Sequence, residues 1–309
     1  MKKTTIGLGT AAIGRPEYIN IKSSAQDLTL EQFRQQGKDV LECAYHLGIR
    51  YFDTAPGYGL AENLLTEWSS LEANRDIEIG TKWGYTYVAN FEKKAPVHEI
   101  KEHSLSKLLE QWETSKEMLN HLAYYQIHSA GYDTDILSNT AIHAKLHQIK
   151  EKTNVKIGIT TTGASQIEVI QSAMEIKVNG KFLFDAFQVT YNLLDQSLNK
   201  VIGKLKALNK VVIVKEALAN GRLFRNKNYP QYENLYSSLE SLAIKYKVGV
   251  DAVALRFVMD ALSPDIVLSG ASTEIQLEEN LKANTFILTQ EEIVALSQFK
   301  IEPEEYWQE

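Results

Sequence analysis

The 309 residues hold a single cysteine, at position 43. One cysteine cannot close an internal disulfide, so no disulfide framework holds this fold together. Cys43 lies in the apolar-periodic stretch Val40-Leu41-Glu42-Cys43-Ala44, where a small core residue is expected in preference to a reactive thiol. Six prolines and seventeen glycines are too few for a fibrous or low-complexity chain, and no Pro/Gly/Ser linker divides it. No apolar run approaches the roughly 18 residues that a membrane-spanning helix needs. The opening Met1-Lys2-Lys3 is followed by Thr4-Thr5-Ile6-Gly7-Leu8-Gly9, too broken for a signal peptide, so a cytoplasmic protein is expected. A net charge of -6 gives no electrostatic reason for nucleic acid or an anionic membrane as partner. His143 and His147 have i, i+4 spacing but no HExxH glutamate. With His98 and His103 they are expected on solvated helices, and no metal site is expected.

What is present is an alternation of strands and helices along the whole length. Short β-branched runs predict strands at Ile6–Thr10, Arg50–Thr54, Ile77–Lys82, Tyr124–His128, Lys156–Thr160, Ala186–Val189, Val211–Lys215 and Ile266–Ser269. Apolar residues three and four apart, such as Phe33, Val40, Leu41, Ala44 and Leu47, predict a helix that Gly48 ends. Ser104–Leu119, Ile142–Lys152, Ile167–Val178, Leu198–Leu208 and Leu235–Tyr246 read in the same way. Eight strands separated by helices imply a parallel sheet, and eight is the number that closes a barrel. An open doubly wound sheet would carry a glycine-rich turn opening a helix. Gly7-Leu8-Gly9-Thr10-Ala11-Ala12 fits GxGxxG only with alanine last, and Ile13–Asp27 reads as loop. The expected architecture is therefore an α/β protein, one (β/α)8 TIM barrel over residues 1–309, without a Rossmann domain.

In a barrel the loops after the strands share one face, and active sites lie there. The predicted strand ends supply Thr10, Asp53, Lys82, His128, Thr160, Gln188, Lys215 and Ser269, all polar, with Tyr58 just beyond Asp53. Reducing a carbonyl requires a hydride for carbon and a proton for oxygen. Tyr58 can give that proton, but a phenol with an ordinary pKa of about 10 is sluggish in the reverse sense. An ammonium at Lys82 would lower it, Asp53 would hold Lys82 charged, and His128 would orient the substrate oxygen. Each residue alone has a structural alternative: Asp53 as a turn cap, Tyr58 as a surface aromatic, Lys82 in an inert ion pair, His128 in the core. Their coincidence at three consecutive strand ends favours chemistry.

These residues resemble those of the aldo-keto reductases. The matching segments are Gly7-Leu8-Gly9-Thr10, Tyr51–Gly59, Gly80-Thr81-Lys82-Trp83-Gly84, Tyr125–Ser129, Gln188–Leu193 and Gly270-Ala271-Ser272 through Glu279-Asn280. The resemblance implies a barrel that reduces carbonyls with NADP(H) or NAD(H), with Tyr58 as proton donor, Lys82 and Asp53 as its tuners and His128 as substrate orienter. It implies coenzyme contacts from Gly9, Thr10, Asp53, Thr160, Thr161, Gln188, Lys215, Leu218, Gly270, Ser272, Gln276, Glu279 and Asn280. Three places depart from the family pattern. Gly158-Ile159-Thr160-Thr161 stands for Gly-x-Ser-Asn, and Lys215-Glu216-Ala217-Leu218 for an aromatic followed by Ser-Pro-Leu. Gly270 and Gln276 replace the lysine and arginine that hold a 2′-phosphate. On family grounds NADP(H) is favoured, with NAD(H) as the alternative.

The loops also carry Tyr18, Trp83, Tyr85, Tyr87, Tyr132, Phe224, Tyr229, Tyr306 and Trp307, which suit an apolar or sugar-like substrate face. Trp83 and Tyr85 are the expected substrate contacts, and the partner is a small carbonyl or alcohol. The sequence carries no signal for an oligomeric state. Two other readings compete: a coenzyme-binding regulatory barrel with little turnover, and a Schiff-base aldolase using Lys82 or Lys215. The aldolase leaves Asp53, Tyr58 and His128 without a coordinated purpose.

Overall fold

β-branched and aromatic runs form strands wherever the sequence predicts them. The computed structural model describes residues 3–16, 28–71, 75–92 and 95–308. Its barrel strands are β1 (Thr5–Gly9), β2 (Tyr51–Asp53), β3 (Glu78–Trp83), β4 (Leu122–Ala130), β5 (Lys156–Thr161), β6 (Ala186–Thr190), β7 (Val211–Lys215) and β8 (Ile266–Ser269). They pair in parallel in the closed order β1-β8-β7-β6-β5-β4-β3-β2, which leaves no sheet edge to protect. Around them lie α1 (Leu30–His46), α2 (Ala61–Leu71), α3 (Leu105–Ser115), α4 (Thr140–Thr153), α5 (Gln166–Glu175), α6 (Ile202–Ala207), α7 (Glu233–Tyr246), α8 (Val250–Leu262) and α9 (Glu274–Leu281). α1 starts with a reciprocal cap: the Gln32 amide donates to Thr29 Oγ1, and the Thr29 amide to Gln32 Oε1. Its buried stripe of Phe33, Gly37, Val40, Leu41 and Ala44 faces the sheet.

Pleat parity decides what each strand offers the barrel interior. Tyr51, Tyr124, Ala186, Ile213, Ile266 and Leu268 form one apolar cluster, while the alternate residues Phe52, Tyr125, Phe187, Val214 and Val267 belong to the larger cluster shared with the helices. The first set points inward. Counting by twos from it puts Asp53, Gln126, His128, Gln188 and Lys215 inside as well, and the register pairs Lys82 with Gln126 and Thr160 with Gln188, so both share that face. Trp83 and Thr161 fall on the outer face.

Several sequence expectations are corrected. Ala11–Gly14, read as loop from Ile13, makes one helical turn directly after β1, closed by the Ile13 and Gly14 amides on Thr10 O; Tyr18 lies outside the described residues. The helix expected to reach Val178 stops at Glu175, and Lys177–Val178 pairs with Lys181–Phe182. Asn179 and Gly180, at φ +52° and +78°, supply the two left-handed residues of that hairpin turn. The helix expected over Leu198–Leu208 is split into a 3-10 turn, Ser197–Lys200, and α6. An unanticipated antiparallel hairpin, Tyr85–Tyr87 with Glu99–Lys101, follows β3. His103 and His143, expected in solvent, are buried. Cys43 is half-buried against the core. Among the described residues no helix is long and apolar enough to cross a membrane.

Candidate active site

The C-terminal ends of the strands open into a cavity of about 620 Å³. On its wall stands Tyr58, in the 3-10 turn Pro56–Tyr58 after β2. Three contacts hold that loop. The Tyr58 amide donates to Ala55 O, the Leu60 amide to Gly14 O, and Arg15 Nη1 to Gly57 O at 2.9 Å. Gly14 is required here, because a Cβ on it would lie 2.1 Å from Tyr58 O. Beneath Tyr58 is a buried ion pair, Lys82 Nζ to Asp53 Oδ2 at 2.5 Å, both side chains essentially without solvent. Lys82 also donates to Thr54 O at 3.0 Å, and Gln188 Nε2 donates to Asp53 Oδ1 at 2.6 Å. Both carboxylate oxygens are thus engaged, as a buried charge demands. Lys82 Nζ stands 4.7 Å from the centroid of the Tyr58 ring. His128 Nε2 lies 3.5 Å from the Tyr58 hydroxyl, a long contact, with the two rings nearly perpendicular.

His128 is aimed by a break in its strand. Pairing of β4 with β5 shifts register between Ile127 and Ala130, and Ser129 takes φ +48°. Thr160 Oγ1 accepts from the Ser129 amide at 2.7 Å, and His103 Nε2 bonds His128 O at 2.8 Å. Burial pushes His103 down to about 4, so it is neutral and donates its Nε2 proton to that carbonyl. Burial, then the charges of Lys82 and Lys215, hold His128 well below the usual imidazole range. The sequence predicted a lowered Tyr58 pKa; the structure has the opposite sign. Burial first, then the carboxylates of Asp53, Glu99 and Glu216, push the phenol well above its usual range, with Arg15 opposing. Lys82, paired with Asp53 and seated over the ring, does not offset them.

The remaining predicted contacts divide by parity and depth. Gly9, Asp53, Tyr58, Tyr85, His128, Thr160, Gln188, Lys215, Leu218, Gly270, Ser272 and Gln276 all line the cavity. Thr10 does not; it is buried under the floor, its Oγ1 donating to Asp53 O at 2.9 Å. Thr161 and Trp83 are wholly buried on the outer face of the sheet, and Thr162 lines the cavity instead. Asn280 donates to Ser269 Oγ behind the wall, and Glu279 pairs with Lys282 at 2.5 Å. Tyr306 and Trp307 miss the cavity and pin the loops after β6 and β7, through Asn192, Arg222 and Asp195. Lys215, a coenzyme contact by resemblance, donates to Glu216 Oε1 at 2.6 Å and to Thr190 Oγ1 at 2.9 Å. Sequence reasoning missed Glu99 and Arg15, which the β4-preceding hairpin and the turn after β1 bring to Tyr58; their ion pair measures 2.7 Å. No short-range motif signals them.

Residues 5–301 match the family model described as the aldo/keto reductase family. The chain belongs to that family. Aldo-keto reductases are oxidoreductases of carbonyl compounds that use nicotinamide coenzymes, and this chain shares that general class. Its relatives include an NADH-specific methylglyoxal reductase of Escherichia coli, 24% identical over 90% of this chain and 89% of that protein. An aldo-keto reductase of Strobilurus tenacellus is 22% identical over 96% of this chain and 88% of its own. Among solved structures, the glycerol dehydrogenase of Gluconobacter oxydans superposes with a TM-score of 0.70 at 21% identity, covering 95% and 90% of the two chains. At that identity the superposition shows the shared barrel fold alone.

Proposed function

We propose that this aldo-keto reductase interconverts an aldehyde, ketone or sugar carbonyl with its alcohol, using Tyr58 as proton donor. The observation that carries this reading is the meeting of three groups at one wall. The Tyr58 hydroxyl stands 3.5 Å from His128 Nε2, and Lys82 Nζ, fixed on Asp53, stands 4.7 Å from the phenol ring.

The cavity fits an extended nicotinamide coenzyme. Small residues, Gly9, Ala11 and Gly270, line it, and a Cβ on Gly270 would meet nothing within 4 Å, so a ligand can approach the backbone there. Thr160 and Gln188 would hold the nicotinamide amide, and Leu218, Gly270, Ser272 and Gln276, which line the same cavity, would hold the adenosine half. When bound, the coenzyme supplies the hydride. Neutral His128, with its proton on Nε2, donates to the substrate oxygen and orients the carbonyl. Tyr58 then gives its proton to that oxygen. Burial and the nearby carboxylates hold the phenol above its usual range, so the donor stays protonated from neutral pH well into the alkaline range, the form that reduction needs. As phenolate forms, the buried Lys82 ammonium stabilises it in a water-poor site.

The lining argues for NAD(H) over the NADP(H) that family frequency favours. A 2′-phosphate is best held by arginine or lysine. Among the described residues Lys215 is the one cation lining the cavity, and Glu216 holds it. Gln276 Oε1 instead accepts from the Ser272 amide and hydroxyl, at 2.9 and 3.0 Å.

The test is a fluorescence titration of purified protein with NADH and NADPH, joined to carbonyl reduction by wild type and Tyr58→Phe. Tyr58→Phe should bind coenzyme as wild type does and lose roughly 10²- to 10⁴-fold in turnover. NADH should bind the more tightly. Wild-type turnover in Tyr58→Phe refutes the proton donor, and tighter NADPH binding refutes the coenzyme preference.

A further inference from the structure

The cavity wall after β7 is held in a shape that its residues do not favour. Glu216, Ala219 and Asn220 take φ of +57°, +48° and +53°, and Gly221 follows at +93°. Asparagine and glycine tolerate this left-handed region. Glutamate and alanine do not, because their Cβ crowds the following carbonyl. Such a segment keeps its shape only where its surroundings over-determine it. Leu218, Asn220 and Gly221 of this segment line the cavity.

The constraint comes from a turn far along the chain. Pro303, whose fixed φ suits a helix start, opens the short turn Pro303–Tyr306, which buries Tyr306. Asn192, fully buried after β6, bridges to it: Nδ2 donates to Glu216 O at 3.0 Å and to the Tyr306 hydroxyl at 2.9 Å. Arg222 bridges from the other side. Its Nε donates to Ala219 O at 3.2 Å and its Nη1 to Tyr306 O at 2.9 Å, with the guanidinium carbon 3.9 Å from the Tyr306 ring centroid. The carbonyls of the two disfavoured residues, Glu216 and Ala219, are thus fixed by groups that also grip Tyr306. None of Asn192, Arg222 and Tyr306 lines the cavity itself. Resting on the coenzyme reading above, we infer that Tyr306 is a positioning residue for coenzyme binding: through Asn192 and Arg222 it keeps Glu216–Gly221 in the shape that receives the nicotinamide coenzyme. Apparent affinity scales with the fraction of free protein in that shape, so a drop to about one molecule in ten weakens binding about tenfold. Coenzyme at saturation restores the shape, and Tyr58 and His128 stand after other strands, so turnover is then unaffected.

The experiment titrates full-length wild type, Tyr306→Phe and Arg222→Lys with NADH and NADPH by fluorescence, and measures kcat for carbonyl reduction at saturating coenzyme. Tyr306→Phe keeps the ring under Arg222 and removes only the hydroxyl that Asn192 reaches, so it should fold as wild type does. Its coenzyme Kd should rise roughly threefold to tenfold, the effect of one buried hydrogen bond. Arg222→Lys keeps the charge but cannot hold Ala219 O and Tyr306 O in one fork, and its Kd should rise by about tenfold or more. In both variants kcat at saturation should stay within about twofold of wild type, a split that general loss of structure does not produce. Wild-type Kd in both variants overturns the role of Tyr306, as does a fall in kcat at unchanged Kd. Either result, with reduction still abolished by Tyr58→Phe, leaves the reductase reading standing. Wild-type protein that binds neither coenzyme overturns both.

Discussion

Glu62 opens α2 with its side chain buried against β3, where its Oε1 accepts from Thr81 Oγ1 at 2.6 Å and Ser115 Oγ at 3.0 Å. Burial outweighs those bonds and the nearby Lys82 charge, and pushes the carboxyl from 4.5 to about 7. Below 4.5 the group is protonated in both folded and unfolded chains and adds no pH dependence. Between 4.5 and about 7 the unfolded chain has ionised while the folded one still holds its proton, so stability falls as pH rises. Above about 7 the full penalty stands. At about 1.4 kcal/mol per pH unit, the gap between those two values amounts to about 3 kcal/mol. Glu62→Gln has no charge to desolvate, and its amide oxygen can accept from the same two hydroxyls. We expect it to be more stable than wild type by about 3 kcal/mol near pH 8, with the advantage shrinking to nothing near pH 4. Urea unfolding of both proteins across that range measures the difference directly. An offset that does not vary with pH, or a Gln variant less stable at pH 8, refutes the reasoning.

Two further substitutions test how the site is held. His103→Ala removes the donor to His128 O and should lower turnover by up to roughly 100-fold, the scale of a misplacement of about 1 Å, while coenzyme affinity stays at the wild-type level; His103→Gln, which keeps a donor, should recover part of the loss. Unchanged turnover in His103→Ala would show that the register break in β4 aims His128 unaided. Gly14→Ala forces a methyl against Tyr58 O and Ala61 and should cost about 1–3 kcal/mol of thermal stability together with turnover. A variant that keeps both would mean the Tyr58 loop is not pinned there.

The barrel was legible because the strands are local β-branched or aromatic runs with a polar residue at or next to the end of each. Once eight such runs close a sheet, strand ends that are distant in sequence must become neighbours. The meeting of Asp53, Tyr58, Lys82 and His128 was readable for that reason, and the four side chains lie together at one wall. Trp83 and Thr161 misled because a motif names a stretch, while the pleat decides which residue of it faces in. Each sits one position after an inward residue, Lys82 and Thr160, and so turns toward the helices. Thr10 and Asn280 occupy the right neighbourhood but bond to the wall from behind, and Glu279 pairs with Lys282 instead. Glu99, Arg15 and His103 carried no legible signal at all. They reach Tyr58 and His128 through a hairpin and turns whose packing depends on tertiary contacts alone. The misread histidines have the same origin: a histidine with a carbonyl partner is as polar in sequence as a solvated one.

The sign of the Tyr58 shift carries the last physical lesson. Sequence reasoning placed an ammonium beside a phenol and predicted easier ionisation. That treats Lys82 as an isolated charge, whereas burial dominates and the carboxylates of Asp53, Glu99 and Glu216 act on the hydroxyl in the opposite sense. The pair is not idle for that reason. A cation 4.7 Å from the ring does little for neutral phenol and much more for a phenolate, whose charge spreads into the ring. An interaction that strengthens only as the proton leaves lowers the barrier without stabilising the resting state, which is the condition for accelerating a step. In the proposed reaction a high resting pKa and a nearby lysine are therefore complementary: the first keeps the donor loaded, and the second favours its discharge.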